Sequence, residues 1–253
     1  MSWASRRRTL YLGGAGFAVI ALATWVGFSF FYEVPSCEDG LQNGDEEGVD
    51  CGGSCERVCS FQAVDLVVRW QRFFAVAPGV YSALAYVENP NAGTQARSVS
   101  YTFKLYDTSG ILIKTITGST AVPPERVLPV FESGIETGER TPARVIFSFD
   151  REPTWERAGR ERLRVTVSDS ALSGADSLPR LTATVTNSGT ASVADIALVA
   201  ILSGGDGNAV AASRTVVPLL RPGEARAVVF TWRAPLAAPV TSIDIIPVFP
   251  LVP

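Results

Sequence analysis

The sequence predicts an all-β chain, two tandem antiparallel sandwiches behind a single N-terminal transmembrane helix. Three observations predict it. An uncharged, mostly apolar run from Thr9 to Tyr32 follows the cluster Arg6-Arg7-Arg8. From Phe61 onward apolar and polar residues alternate with a period of two, and the last third of the chain repeats the middle third.

Leu10 to Phe31 is long enough to cross roughly 30 Å of hydrocarbon at about 1.5 Å per residue, and the first carboxylate after it is Glu33. The span is assigned to 10–32, after a basic cytoplasmic N-terminus over 1–9. Arginines on one flank hold that flank in the cytoplasm and place the rest of the chain outside. Trp25 and Phe30-Phe31-Tyr32 toward the outer end, with Trp3 and Tyr11 toward the inner, suit rings at the two interfaces. A cleaved signal peptide needs a small-residue site near the start of polar sequence. Ala21-Leu22-Ala23 comes too early, and cutting there would leave an apolar tail on a secreted protein. An uncleaved anchor is expected. Gly14 with Ala18, and Ala23 with Gly27, have the small-xxx-small spacing that permits a homodimer through this helix.

Histidine is absent. That removes Ser-His-Asp and Cys-His catalysis, His-ligated metals and imidazole acid-base work. The expectation is therefore a chain with no catalytic residues. A net charge of −3 is too small for a dedicated polyanion binder, and no nucleic acid is expected as a partner. No Asn-x-Ser/Thr acceptor occurs, which favours a bacterial cell envelope over a eukaryotic surface.

Residues 33–60 form an acidic segment holding all four cysteines, Cys37, Cys51, Cys55 and Cys59. In cytosol such clustering would suggest a zinc site; outside the membrane it reads as two disulfides, with three connectivities open. Crosslinks are the natural source of order here, since Leu41 and Val49 are the main apolar residues. Glu38, Asp39, Asp45, Glu46, Glu47, Asp50 and Glu56 stand against Arg57 alone. Asp39, Asn43, Asp45, Glu47 and Asp50 supply the hard oxygens of a candidate calcium site, although the spacing is not that of an EF-hand. The competing reading is a solvated acidic spacer, and calcium is the one cofactor in question. The string C-x-D-G-x-x-N-G-x-E-x-G-V-D-C-G-G-x-C resembles a short acidic, cysteine-rich motif of bacterial secreted and surface proteins. The resemblance implies an extracellular disulfide-stapled module.

The sandwich region opens with alternation. Val99, Tyr101, Phe103 and Leu105 face one way, Ser98, Ser100, Thr102 and Lys104 the other. Asp107-Thr108-Ser109-Gly110 supplies a turn and Ile111-Leu112-Ile113 the return strand, a hairpin. Ile196 to Leu202, the turn Gly204 to Asn208, and Ala209-Val210 repeat it. An offset of 98 maps Ala83, Ala85, Val87 and Asn89 onto Leu181, Ala183, Val185 and Asn187, Tyr101 and Phe103 onto Val199 and Ile201, and Pro124 onto Pro222, with no gap. Two Ig-like sandwiches follow, over 61–158 and 159–253, meeting near Pro153 and the Trp155 to Arg164 stretch. Phe103-Lys104-Leu105-Tyr106-Asp107, with Val87-Glu88-Asn89-Pro90 before it, resembles the FxLYD family of bacterial extracytoplasmic Ig-like domains over residues 61–150. The second copy departs from that pattern at Ile201-Leu202-Ser203-Gly204-Gly205. The family implies an envelope-exposed sandwich and brings no catalytic residues.

Four further groups invite a functional reading. Tyr106 and Asp107 are read as a strand end and turn cap, and Arg157, Arg160, Arg162 and Arg164 as a solvated linker face. Trp70, Phe73 and Phe74 resemble an aromatic binding patch, but Trp70 and Phe74 share a strand face and are read as core, and Asp206-Gly207-Asn208 is read as a hairpin loop. The chain as a whole reads as a membrane-anchored, extracytoplasmic, non-enzymatic binding or envelope-assembly protein. Its expected partners are the membrane and another envelope protein or a glycan. A passive stalk or spacer is the alternative, with a His-free envelope enzyme third.

Overall fold

The structure is a computed structural model and describes residues 3–31, 36–124, 126–159 and 164–249. The expectations placed on Tyr32, Glu33, Arg160, Glu161 and Arg162, and on the side chains of Phe30 and Phe31, lie outside the described residues. The chain divides into two compact units, residues 1–55 and 56–253.

The first unit opens with α1, Trp3–Phe31. Within it Arg6–Ser29 is long and apolar enough to cross a membrane, with mean hydropathy 1.7 and none of the stretch buried against protein. Leu10, Phe17, Ile20 and Leu22 are all exposed, a surface that water solvates poorly and hydrocarbon solvates well. The helix begins earlier than the apolar run because Arg6 to Arg8 are themselves good helix formers. The rest of the unit, residues 36–55, is turns and bends.

Apart from a single 3-10 turn at Ser60–Gln62, the regular structure described in the second unit is antiparallel β. Its first sandwich comprises β1 (Val67–Ala77), β2 (Val80–Glu88), β3 (Thr94–Tyr106), β4 (Leu112–Val122), β5 (Val127–Glu136) and β6 (Arg144–Phe149). The sheets are β1-β2-β5 and β4-β3-β6, and the short β7 (Glu156–Arg157) pairs with the start of β3. The second sandwich comprises β8 (Val165–Ser173), β9 (Arg180–Asn187), β10 (Val193–Ser203), β11 (Ala209–Leu220), β12 (Ala225–Thr231) and β13 (Ser242–Val248). Its sheets are β12-β9-β8 and β11-β10-β13, the same strand order as the first. The predicted hairpin turn forms as expected: Asp107 Oδ1 accepts from the amides of Ser109 and Ile111 at 2.9 and 2.8 Å.

Each sandwich encloses its own core. Ala83, Ala85, Val87, Val99, Tyr101, Phe103 and Leu105 fill the first, which also takes in Trp155. Leu181, Ala183, Val185, Ile196, Leu198, Ala200 and Leu202 fill the second. The repeat extends to a buried polar device. Asn89 Nδ2 donates to the carbonyls of Thr94 and Pro123, and Asn187 Nδ2 donates to those of Ala191 and Leu220. The Asn89 and Asn187 amides donate to Arg126 O and Glu224 O, both at 3.0 Å, and each side-chain oxygen accepts from the residue two further on. Each asparagine thus ties the end of its strand to two chain segments that would otherwise hold unpaired carbonyls.

These contacts also correct the gap-free alignment. Val99, Tyr101, Phe103 and Leu105 in the first core are matched by Ile196, Leu198, Ala200 and Leu202 in the second, an offset of one residue less. Tyr101 and Phe103 therefore correspond to Leu198 and Ala200, not to Val199 and Ile201. The loop after Asn187 is shorter by one, and the spacing recovers by Leu220, which is paired with Val193 as Val122 is with Ala96. Because strand side chains alternate, a one-residue slip turns a whole face over. Val199 and Ile201 consequently point away from their own core.

They meet the first sandwich. A third buried cluster joins Leu84 and Phe131 to Val199, Ile201, Ala209 and Ala212, with Trp70, Phe74, Tyr86, Ile246 and Val248 packed around it. The outer faces of β1-β2-β5 and β11-β10-β13 thus cover one another, and both central strands are buried on two sides. The sandwiches meet sheet to sheet, whereas the sequence placed their contact near Pro153 to Arg164. Trp70 and Phe74 are partly buried and pack against this shared layer.

Candidate functional site

Two regions gather polar chemistry. The first is the acidic segment. Cys37 is bonded to Cys55; Cys51 and Cys59 are also disulfide-bonded, and no cysteine is free. The turns around the Cys37–Cys55 crosslink are held by carboxylates. Asp39 accepts from the amides of Ser36 and Leu41 and from Asn43 Nδ2 at 2.9 Å. Asp50 accepts from the Gly40 amide through both oxygens, at 3.0 and 3.1 Å. Glu46 accepts from the amides of Asn43 and Asp50, and Asp45 from the Ser54 hydroxyl. The Asn43 side chain, followed by the Leu41 amide, holds the Asp39 carboxyl below its ordinary value. Gly52 and Gly53 are required: both have positive φ, and a Cβ on Gly53 would lie 2.0 Å from the Asp45 carbonyl oxygen.

Of the five residues proposed for calcium, Asp39, Asp45 and Asp50 have carboxylate oxygens engaged in this internal network and Glu47 has a partner as well, whereas the buried Asn43 Oδ1 accepts no hydrogen bond. Among the described residues, the ligand-type atoms that do converge belong to Cys37, Glu46 and Cys55. Two of those are disulfide sulfurs, which carry no thiolate for a metal, and the 3.3 Å approach of Glu46 to Cys55 Sγ is a contact without a proton. This donor set does not fit a metal.

The second region is a cleft of about 760 Å³ between the two sandwiches. β1 contributes Arg72 and Phe74, β2 Ser82, β5 Phe131 and β11 Arg214; Trp232 and Arg233 follow β12. Period-two geometry brings them together, since Trp70, Arg72 and Phe74 share the outer face of β1 and Ser82, Leu84 and Tyr86 that of β2. Arg72 spans the join, donating to Asn208 Oδ1 at 2.5 Å and Ala209 O at 3.1 Å. Arg214 donates to Phe131 O at 3.2 Å, with its guanidinium 5.8 Å from the Phe131 ring centre. Trp232 Nε1 donates to Ala212 O. The Asp206-Gly207-Asn208 loop thus braces Arg72, while Asp206 is occupied by Asn208, which lowers its pKa.

The remaining candidates make local contacts. Tyr106 lies under Arg144, 5.2 Å from guanidinium to ring centre, and Asp107 caps its turn. Phe73 packs in the first core, edge-on to Tyr81. Arg157 pairs through its backbone with Glu56. Sequence reasoning missed Arg72, Ser82, Arg214 and Arg233. One signal was available for the first: in Trp70-Gln71-Arg72-Phe73-Phe74 a charge occupies the same strand face as two aromatics.

No family model matches the chain, and no curated protein does. Among solved structures it is similar to red sea bream transglutaminase, at 11% identity and TM-score 0.22, covering 70% of this chain and 29% of that one. It is also similar to the C-terminal globular domain of an oligosaccharyltransferase from Pyrococcus abyssi, at 12% identity and TM-score 0.17, covering 73% and 46%. The chain spans less than half the length of either. Likeness at this level carries no statement about activity.

Proposed function

We propose that the chain is a membrane-anchored, extracytoplasmic, non-enzymatic binding or assembly protein of a bacterial cell envelope, built on two Ig-like sandwiches of which the first is FxLYD-related. The arginines before α1 favour a cytoplasmic N-terminus, and oxidised cysteines directly after the helix favour an oxidising compartment on the far side. These two signals are independent and agree. The observation that carries the binding reading is the mutual burial of the two outer sheet faces. It makes one compact unit with a cleft where the sheets part, a concave surface of the size that ligand sites occupy. A passive spacer has no need of such a cleft.

The test is photocrosslinking in cells from positions on the rim of the cleft, together with reporter fusions at the C-terminal end. The proposal expects an extracytoplasmic reporter signal and a discrete crosslinked species. A reporter active only in the cytoplasm, or no crosslinked species from any rim position, would contradict it.

A further inference from the structure

We infer that the cleft between the sandwiches is a binding site for a small organic anion carried on an apolar body, such as an aromatic or aliphatic carboxylate. This deepens the binding reading above and rests on it. Three observations combine. First, the charges that line the cleft are Arg72, Arg214 and Arg233, and the lining includes no Asp or Glu. The ion pairs among the described residues are made by Arg69, Arg97, Arg140 and Arg226. Arg72 and Arg214 donate hydrogen bonds only to neutral oxygens; Asp206 lies near enough to Arg72 for that charge to lower its carboxyl pKa, so the cations of the cleft without a carboxylate partner among the described residues are Arg214 and Arg233. A guanidinium held by a neutral acceptor beside an apolar wall presents its charge in a fixed direction, which favours an anion at the cleft.

Second, Ser82 lines the cleft, is 1% exposed, and its hydroxyl has no hydrogen-bond partner. Leaving a buried hydroxyl unpaired disfavours the fold, and such groups are few in native proteins. A ligand acceptor reaching the floor of the cleft would satisfy it. Third, Phe74, Phe131, Ala212, Trp232 and Leu236 supply apolar walls for the body of the ligand. Bare inorganic anions would leave these walls wet, and a neutral apolar molecule would leave the arginines and Ser82 unused. The combination of cationic rim, apolar wall and unpaired hydroxyl selects an amphiphilic anion. The volume of about 760 Å³ suits a small molecule.

The experiment is calorimetric titration of the full chain in nanodiscs with 2-naphthoate, and with neutral 2-naphthamide as the isosteric control, empty nanodiscs serving as blank. The expected result is saturable binding of naphthoate, weakened by salt, at about tenfold or more the affinity of the amide. Arg214→Gln with Arg233→Gln should abolish that preference; both side chains are exposed, so the double variant should keep its fold. Ser82→Ala should raise the melting temperature of the unliganded protein, because an unpaired buried group is removed, yet lower naphthoate affinity. A merely structural serine cannot move those two readings in opposite directions. Equal affinity for acid and amide, an unchanged preference in the double arginine variant, or unchanged affinity in Ser82→Ala would each overturn the assignment. Failure here with rim crosslinking retained rejects the anion site alone, whereas loss of crosslinking as well rejects the wider binding reading.

Discussion

The two sandwiches share a strand order and the same buried asparagine, yet their third strands differ in what their outer faces do. β3 turns Tyr101 and Phe103 inward and carries Thr102, bonded to Asp150, and Lys104 on its other face. β10 is apolar on both sides, with Leu198 and Ala200 in its own core and Val199 and Ile201 against the neighbouring sandwich. The difference teaches that a repeat of topology is not a repeat of exposure. Val199 and Ile201 stand at the outward positions that Thr102 and Lys104 hold in β3, and this exchange of polar for apolar residues is what lets the second face join the copies.

The sharpest way to break the comparison is through the shared layer. Leu84 is fully buried on the outer face of β2, so Leu84→Ala should cost about 2–5 kcal/mol. Leu198→Ala, which acts inside the second core alone, should cost a similar amount. Denaturant titration should find both variants destabilising the two sandwiches together, whereas a Leu84→Ala penalty below about 0.5 kcal/mol would mean that the layer is loosely packed.

The asparagines come next and sharpen the likeness. Asn89→Ala orphans two carbonyls, the Asn91 amide and an Asn91 Nδ2 donor, and Asn187→Ala two carbonyls and an amide, so each should cost at least about 1–3 kcal/mol. The larger loss is expected at Asn89, whose oxygen accepts from Asn91 Nδ2 as well, where the second copy has Gly189.

A smaller effect separates the copies. The Tyr101 hydroxyl donates to Glu132 Oε1 at 2.6 Å inside the first sandwich, at a position where the second has Phe230. Burial, then the bond to Glu132, raises the Tyr101 pKa above its ordinary value of 10.0. The folded state thus holds this proton more tightly than the unfolded one. Its contribution is complete below about pH 10 and is lost as pH rises from there through the folded value. Tyr101→Phe should remove that alkaline loss and cost about 1.5–3 kcal/mol at neutral pH by leaving Glu132 without its donor. Tyr101→Phe with Glu132→Leu should recover most of it.

Smallest for the sandwiches is Gly53→Ala. The clash with Asp45 O should disorder the acidic segment, read as slower or mixed disulfide formation on non-reducing mass spectrometry. Melting of the β body should move by less than about 0.5 kcal/mol.

Much of this was legible in the sequence. Alternation from Val99 to Leu105, the Asp107 turn and the Asn89/Asn187 repeat depend on neighbours within a few residues, and local rules read them well. The slip did not show, because matching residues at Asn187 and at Pro222 sit at the same offset and the compensating changes fall in between. The shared layer was half visible: Val80 to Val87 and Ile196 to Leu202 are near-continuous apolar runs, the mark of strands covered on both faces. Periodicity cannot say which body covers the second face. The internal bonding of the acidic segment was hidden for a related reason. Composition counts carboxylates, but only geometry reveals that Asp39, Asp50 and Glu46 are already bonded to backbone amides.

The central claim is that the outer faces make the two sandwiches one cooperative body. Differential scanning calorimetry of the intact chain in detergent, followed by comparison of calorimetric and van't Hoff enthalpies, tests it most directly. The account predicts a single β-sheet transition with the two enthalpies equal. Two resolved transitions, or a calorimetric enthalpy near twice the van't Hoff value, would show that each sandwich folds by itself and would contradict it.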